Sequence, residues 1–124
     1  MKENTAHDDD GDKDSQESTP TVPYYAVIFS STLTGKDLET YKAVGARMDE
    51  LARQHPGCLG FDSCRDTNEN GLGITVSYWK STDDIQSWRA QAEHLAAQEM
   101  GRRTWYQDYR IRVAKVERDY SFDR

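Results

Sequence analysis

Several features that mark common protein classes are scarce or missing in this 124-residue sequence. It contains two Cys and three Pro, and only 35% of its residues are hydrophobic. No stretch approaches the roughly 18 consecutive apolar residues of a membrane-spanning helix, so no membrane partner is expected. At roughly 100 to 200 residues per domain, the length allows one domain.

Positive charge is also scarce. The formal net charge is -6, and residues 1–23 carry two Lys against seven Asp or Glu. The other 101 residues carry 14 basic and 15 acidic side chains and are therefore nearly neutral. Because nucleic-acid binding needs a basic surface, the sequence predicts no nucleic-acid partner.

Residues 1–23 contain no aromatic residue, no Leu and no Ile, and they include two prolines near their end. Such a segment buries too little apolar surface to offset the entropy of ordering it. We predict a disordered acidic tail over 1–23 and one folded domain over 24–124. No basic segment precedes an apolar one, so a signal peptide is not expected and a cytoplasmic location is.

The two cysteines, Cys58 and Cys64, lie in one segment that reads as a strand. In extended chain their Cα atoms would be roughly 20 Å apart, too far for a disulfide. This fits a reducing compartment. With no third Cys and no nearby His pair, a structural zinc site is not predicted, and no metal is expected.

Periodicity predicts the order β-α-β-β-α-β, which is typical of a ferredoxin-like α+β fold with a four-stranded antiparallel sheet and both helices on one face. The predicted strands are Tyr24 to Ser31, Cys58 to Arg65, Gly73 to Trp79 and Tyr109 to Tyr120, and the helical regions are Asp37 to Gln54 and about Thr82 to Trp105.

Both faces of this sheet carry apolar residues. In the first strand, Tyr24 and Ile28 point one way while Val27 and Phe29 point the other. Two helices cover only one face, so we predict a homodimer in which two sheets pack face to face.

The second helical region carries two stripes of residues. Read as one helix, it has a core stripe that includes Ile85, Trp88 and Leu95, with Ala92 and Ala96. His94, Gln98, Gly101 and Trp105 form a second stripe on nearly the opposite side. Either this second stripe is exposed, or the helix breaks between Arg89 and Glu93 and its later half turns inward. No Gly or Pro lies between Ile85 and Met100 to force a break.

Four motifs in order give a more specific indication: PGCLGFDS after the first helix, GITVSYWKS in the third strand, Trp88, and HLAAQ followed by GR, WY and IRVAKVER. With these, the region from Tyr24 to Phe122 resembles the antibiotic biosynthesis monooxygenase superfamily of dimeric α+β barrels. The resemblance implies a homodimer, one pocket per subunit between sheet and helices, and a helix interrupted before HLAAQ.

Cofactor-independent members oxidise polycyclic phenols or anthrones whose carbanion or enolate reduces O2 directly. The resemblance therefore implies a base, a donor for the developing oxyanion and an aromatic wall. We assign His94 as base and Gln98 as donor, and Trp88, Trp105 and Phe29 as the substrate-binding wall. The structural alternative is that His94 donates to a backbone carbonyl or closes a dimer contact, and that Trp88 is core.

Haem-degrading members also belong to this superfamily. Their pocket tryptophan falls on Trp88, but their haem-ligating histidine falls on Gln98 and their first-strand asparagine on Phe29. His94 lies one turn before Gln98 and is the alternative axial ligand. The sequence thus favours a cofactor-free monooxygenase, with a haem-binding or haem-degrading enzyme and a non-catalytic, small-ligand-binding dimer as alternatives.

Overall fold

The computed structural model describes residues 2–3, 20–68 and 71–124. The strands are β1 (Lys2–Glu3), β2 (Tyr24–Leu33), β3 (Cys58–Arg65), β4 (Gly73–Trp79), β5 (Tyr106–Val116) and β6 (Tyr120–Ser121). The helices are α1 (Leu38–Gln54), α2 (Thr82–Arg89) and α3 (Ala92–Met100), and a π-helical turn, Gly101–Trp105, follows α3 directly.

The main sheet has the strand order β3-β4-β2-β5, with every neighbouring pair antiparallel. In its register, Tyr25 lies opposite Trp79 and Phe61 lies opposite Ser77, so these residues share one face. Trp79 stacks on Trp88 of α2, and the Arg53 guanidinium of α1 lies over the Phe61 ring. The helices therefore cover one face of a four-stranded antiparallel sheet, which confirms the predicted ferredoxin-like α+β fold.

The core of the chain is small and rich in aromatic residues. Trp79 is 1% exposed, and its indole N–H donates to Ser77 Oγ at 2.8 Å. The other buried apolar residues are Tyr24, Ala26, Leu33, Ala52, Ile85 and Trp105. The opposite face carries Ile28, Ile74 and Val76, and Ile74 is 40% exposed. This apolar face has no helix over it.

The second helical region is interrupted between α2 and α3. Ser81 is the N-cap of α2, and its Oγ accepts the Asp84 N–H at 3.1 Å. At the break, Gln91 is extended, and its side-chain Oε1 accepts the His94 N–H at 2.8 Å. The Gln91 amide thus performs the N-cap function that Ser, Thr, Asp and Asn usually perform.

The break decides which stripe of the region faces inward. His94 and Gln98 are half-buried, and Gly101 and Trp105 are buried. The later part of the predicted core stripe is instead exposed: Leu95 is 50% exposed. The prediction of Leu95 as core is wrong because the interruption rotates α3 relative to α2.

Other predicted boundaries hold with small differences. β3 and β4 match the prediction, whereas β5 begins at Tyr106 rather than Tyr109 and ends at Val116 rather than Tyr120. Cys58 and Cys64 are both free thiols on β3. Within 20–68 and 71–124, no helix is long and apolar enough to cross a membrane.

Most of the predicted acidic tail, residues 4–19, lies outside the described residues, so its disorder stays a prediction. Lys2–Glu3 pair with Tyr120–Ser121 as a separate two-stranded sheet.

Replacing the capping side chain by Gln91→Ala removes the bond to the His94 N–H. We expect the free energy of unfolding to fall by about 1 kcal/mol, the typical value of an N-cap. The measurement is the urea midpoint at fixed protein concentration. Gln86→Ala, an exposed change in the neighbouring helix, is the matched control and should lie within about 0.5 kcal/mol of wild type. Equal midpoints for the two variants would refute the capping role.

Candidate functional site

Three aromatic rings stack in sequence beneath the helices. Trp79 and Trp88 have ring centroids 6.0 Å apart and planes at 28°. Trp88 and His94 are closer, at 4.5 Å and 22°. His55 lies on the other side of Trp79, with its ring edge-on to the indole and the ring centroids 5.4 Å apart. The structure therefore brings together two of the predicted site residues, His94 and Trp88.

The helix break is what permits this stack. In a continuous helix, residues 88 and 94 would lie about 120° apart around the axis and about 9 Å apart along it. The interruption lets α3 fold back so that the two rings meet face to face. It also leaves the Trp88 carbonyl at the C-terminus of α2, where it accepts from the Gln91 N–H at 3.1 Å.

The same carbonyl determines the tautomer of His94. His94 Nδ1 lies 3.1 Å from the Trp88 oxygen. A carbonyl oxygen only accepts, so Nδ1 carries the proton, and in the neutral ring Nε2 keeps its lone pair. The predicted alternative, a histidine bonded to a backbone carbonyl, is thus present, and it leaves Nε2 available as a base or ligand.

Burial lowers the pKa of His94 below its ordinary value because desolvation disfavours the imidazolium. The bond to the Trp88 carbonyl opposes this shift, and the nearby positive charge of Arg89 adds to it. His94 is therefore a neutral imidazole at pH 7, the form that accepts a proton.

Gln98 lies one turn after His94 in α3. Residues four apart lie on the same side of a helix, with their Cβ atoms about 5–6 Å apart. Gln98 is half-buried and belongs to the inward stripe. Gln98 therefore shares one side of α3 with His94.

Trp105 and Phe29 lie in a second cluster, built mainly from tyrosines. The Trp105 ring packs edge-on against Tyr41 at 5.6 Å. Phe29 packs against Tyr106 at 5.4 Å and Tyr109 at 5.5 Å. His94 and Trp88 contact other rings, those of each other and of Trp79. The structure therefore places Trp88 in one aromatic group and Trp105 and Phe29 in another.

Trp105 also carries an unsatisfied polar group. It is 3% exposed, and its Nε1–H is buried without an acceptor among the described residues. Tyr106 lies nearby, and burial raises the pKa of its phenol well above the usual range, with Tyr41 adding to the shift. Both groups therefore remain hydrogen-bond donors at neutral pH.

A polar group that includes Arg65 lies at the end of the same face; from the sequence, Arg65 or Arg112 is a candidate for steering an anionic substrate. Arg65 donates from Nη2 to Ser31 Oγ at 2.8 Å and from Nη1 to the Gly71 carbonyl at 2.9 Å. Ser31 is 1% exposed. Arg65 and Ser31 both pair with Gly73 in the register. Arg65 and Gly73 directly flank the loop between β3 and β4.

No group of three or more His, Cys, Asp or Glu side chains in the described ranges could hold a metal ion.

The titration of His94 tests this environment. We expect its NMR midpoint to lie below 6.5, the ordinary value, because burial disfavours the charged ring. Arg89→Gln should raise the midpoint by removing a nearby positive charge. Arg124→Gln, whose guanidinium lies over Phe122, is the control and should leave it unchanged. A midpoint at or above 6.5 in the wild type would contradict the buried, neutral His94.

Comparisons with known proteins point to one family over most of the chain. Residues 23–100 match the family model of the antibiotic biosynthesis monooxygenases. An uncharacterised Bacillus subtilis protein, YqjZ, is 51% identical over 104 residues, which is 84% of this chain and 89% of that protein. Jasmonate monooxygenase ABM of Pyricularia oryzae is 26% identical over 92 residues, covering 74% of this chain but only 43% of that longer protein.

Solved structures share the fold at low sequence identity. PA3566 from Pseudomonas aeruginosa superposes with a TM-score of 0.63 at 16% identity, covering 82% of this chain and 96% of that chain. A Deinococcus radiodurans protein of the same family description gives 0.69 at 12% identity, covering 80% and 98%. With the family model spanning most of the folded region, the chain belongs to the antibiotic biosynthesis monooxygenase family.

Proposed function

We propose that this protein is a cofactor-independent monooxygenase that oxidises a small aromatic, anthrone- or quinol-like compound with O2. The observation that carries the proposal is the state of His94. Its ring is neutral, stacked on Trp88, and bonded through Nδ1 to a backbone carbonyl. Nε2 is the basic atom, and the Trp88 stack holds the ring in place.

The reaction begins with transfer of a proton from the activated CH2 of the substrate to His94 Nε2. The carbanion, delocalised as an enolate, passes one electron to O2, and the substrate radical and superoxide combine to form a C–O bond. The peroxide takes back the proton from His94. Loss of water then breaks the O–O bond and leaves a carbonyl. One oxygen atom enters the product and the other enters water, so no external reductant is needed.

The developing enolate oxygen needs a hydrogen-bond donor in a site that excludes water. Gln98, one turn from His94, is the proposed donor. Trp88, Trp105 and Phe29 remain the proposed substrate-binding residues. The buried, unsatisfied Nε1–H of Trp105 supports a ligand contact there, because a buried donor without an acceptor costs about 1–3 kcal/mol.

The test is oxygen uptake with 1,8-dihydroxyanthrone as the probe. We expect His94→Ala to lower kcat/KM about 100- to 10,000-fold, the usual contribution of a general base. The wild-type rate should fall in acid as His94 becomes protonated. His55→Ala is the control: it removes an imidazole that contacts Trp79 and Ser87. Undiminished oxygen uptake by His94→Ala would exclude His94 as the base.

A haem enzyme is the second candidate, and the same feature of His94 favours it. A histidine whose Nδ1–H is held by a carbonyl would offer Nε2 to a haem iron. Gln98 and Phe29 fit haem less well, since they replace two family residues. Added hemin distinguishes the candidates: a Soret band lost in His94→Ala supports haem. Saturable aromatic binding with neither that band nor oxygen uptake supports a non-catalytic binding protein.

We further propose that the protein is a homodimer joined through the sheet face opposite the helices. Ile28, Ile74 and Val76 give this face an apolar strip, and Ile74 is 40% exposed in one chain. A second copy packed face to face would remove this strip from water.

Sedimentation velocity measures the oligomeric state and so tests the proposed dimer. A charge within the apolar strip, Ile74→Glu, should convert the dimer to monomer because burying an unpaired carboxylate is costly. Leu95→Glu is the control: it places the same charge on the exposed side of α3 and should leave the dimer intact. A monomeric wild type, or a dimeric Ile74→Glu variant, would overturn this assignment.

A further inference from the structure

We propose that Arg65 forms a carboxylate-binding site at the opposite end of the covered sheet face from His94. The ligand class that we assign to it is a small aromatic acid, with its carboxylate on the guanidinium and its ring beside Phe29. This inference concerns binding alone and does not depend on the protein being an oxygenase.

The first argument is how the guanidinium is held. Gly73 lies between Arg65 and Ser31 in the sheet, and all three share the helix-covered face. A Cβ on Gly73 would lie 2.2 Å from Arg65 Cζ and 2.3 Å from Nη2. The Arg65 side chain thus lies across the glycine and uses the space that any other residue would fill.

The second argument concerns the N–H groups of Arg65 that are left after its bonds within the chain. Nη1 donates to the Gly71 carbonyl and, at 3.4 Å, to the Ser31 carbonyl, while Nη2 donates to Ser31 Oγ. A guanidinium has five N–H groups, and the bonds above use both of those on Nη1 and one on Nη2. The Nε–H and the second Nη2–H therefore have no acceptor in the described part of the chain. These two groups form the edge that binds a carboxylate through two parallel hydrogen bonds.

The third argument is the charge of the surroundings. Arg65 is half-buried and forms no ion pair with a carboxylate of residues 20–68 or 71–124. The charge of Arg65 lowers the pKa of the Tyr106 phenol, but burial raises that pKa more and keeps the phenol protonated. The described groups that accept hydrogen bonds from Arg65 are all uncharged, so this half-buried cation attracts an anion.

The fourth argument is the apolar surface beside the cation. Phe29 is two residues before Ser31 on the same face, about 7 Å along the strand. Its ring joins Tyr106 and Tyr109 in an aromatic cluster. By strand rise, Trp79 lies about 20 Å from Gly73 along β4, so the Arg65 guanidinium is remote from the His94 stack.

The experiment is calorimetric titration of the full chain with 2-naphthoate and with 2-naphthamide, a neutral ligand of the same shape. We expect naphthoate to bind the wild type more tightly. Arg65→Gln should weaken naphthoate about 10- to 100-fold, as loss of a charged hydrogen-bonded pair does, and should leave naphthamide unchanged. Arg103→Gln, which removes an exposed cation paired with Glu99, is the matched control.

Two further measurements separate binding from folding. Gly73→Ala keeps the arginine but displaces the guanidinium, and it should also abolish the preference for naphthoate. In the wild type, the Arg65 Nε–H resonance should shift with naphthoate and not with naphthamide, whatever the stability of the variants. Equal affinity for the two ligands, no saturable naphthoate binding, an unmoved Nε–H resonance, or a preference that persists in Arg65→Gln would overturn the proposal.

Discussion

The interruption between α2 and α3 is the constraint on which the rest of the covered face depends. It leaves the Trp88 carbonyl at the C-terminus of α2, where its oxygen accepts hydrogen bonds from the Gln91 N–H and the His94 Nδ1–H. It also begins α3 with a side-chain cap from Gln91. A straight helix would satisfy the Trp88 carbonyl from residue 92 and keep residues 88 and 94 apart. The imidazole stack, its tautomer and the inward position of Trp105 all follow from this one change of direction.

The sheet distributes polar and aromatic groups along its covered face. At one end, Trp79 carries the stack that leads to His94. At the other end, Gly73 leaves room for the Arg65 guanidinium against Ser31. Between them lie half-buried side chains of β2 and β4, including Val27, Phe29 and Thr75. The neutral imidazole of His94 and the cation of Arg65 thus lie at opposite ends of one partly apolar face.

Much of this structure could be predicted from local pattern. The loop residues that follow β3, together with the β-branched residues of β4, predicted both strands to the residue, because a hairpin loop marks where paired strands end. The start of β5 was less clear: the π-helical turn Gly101–Trp105 runs directly into Tyr106, with no Gly or Pro between them. The stripe that contains Leu95 was misassigned because periodicity assumes a continuous helix.

The candidate site was predictable only in part. Helical spacing placed His94 and Gln98 on one stripe, and the resemblance to the family added Trp88. Arg65 was one of two sequence candidates, with Arg112, for steering an anionic substrate, but its contacts were not predictable because Ser31 and Gly73 come from two other strands. The division of the aromatic residues into two clusters was equally hidden, because ring contacts between β2, α1 and the π-helical turn join residues distant in sequence.

The sequence by itself determined the order of elements, the two apolar faces of the sheet and the family, because these depend on short-range periodicity and ordered motifs. Tertiary structure alone decided where α3 turns, which nitrogen of His94 carries the proton, and what the Arg65 guanidinium lies against. The physical reason is that each of these depends on a hydrogen bond or a steric gap formed between segments. Neither exists until the strands are in register and the helices are packed on them.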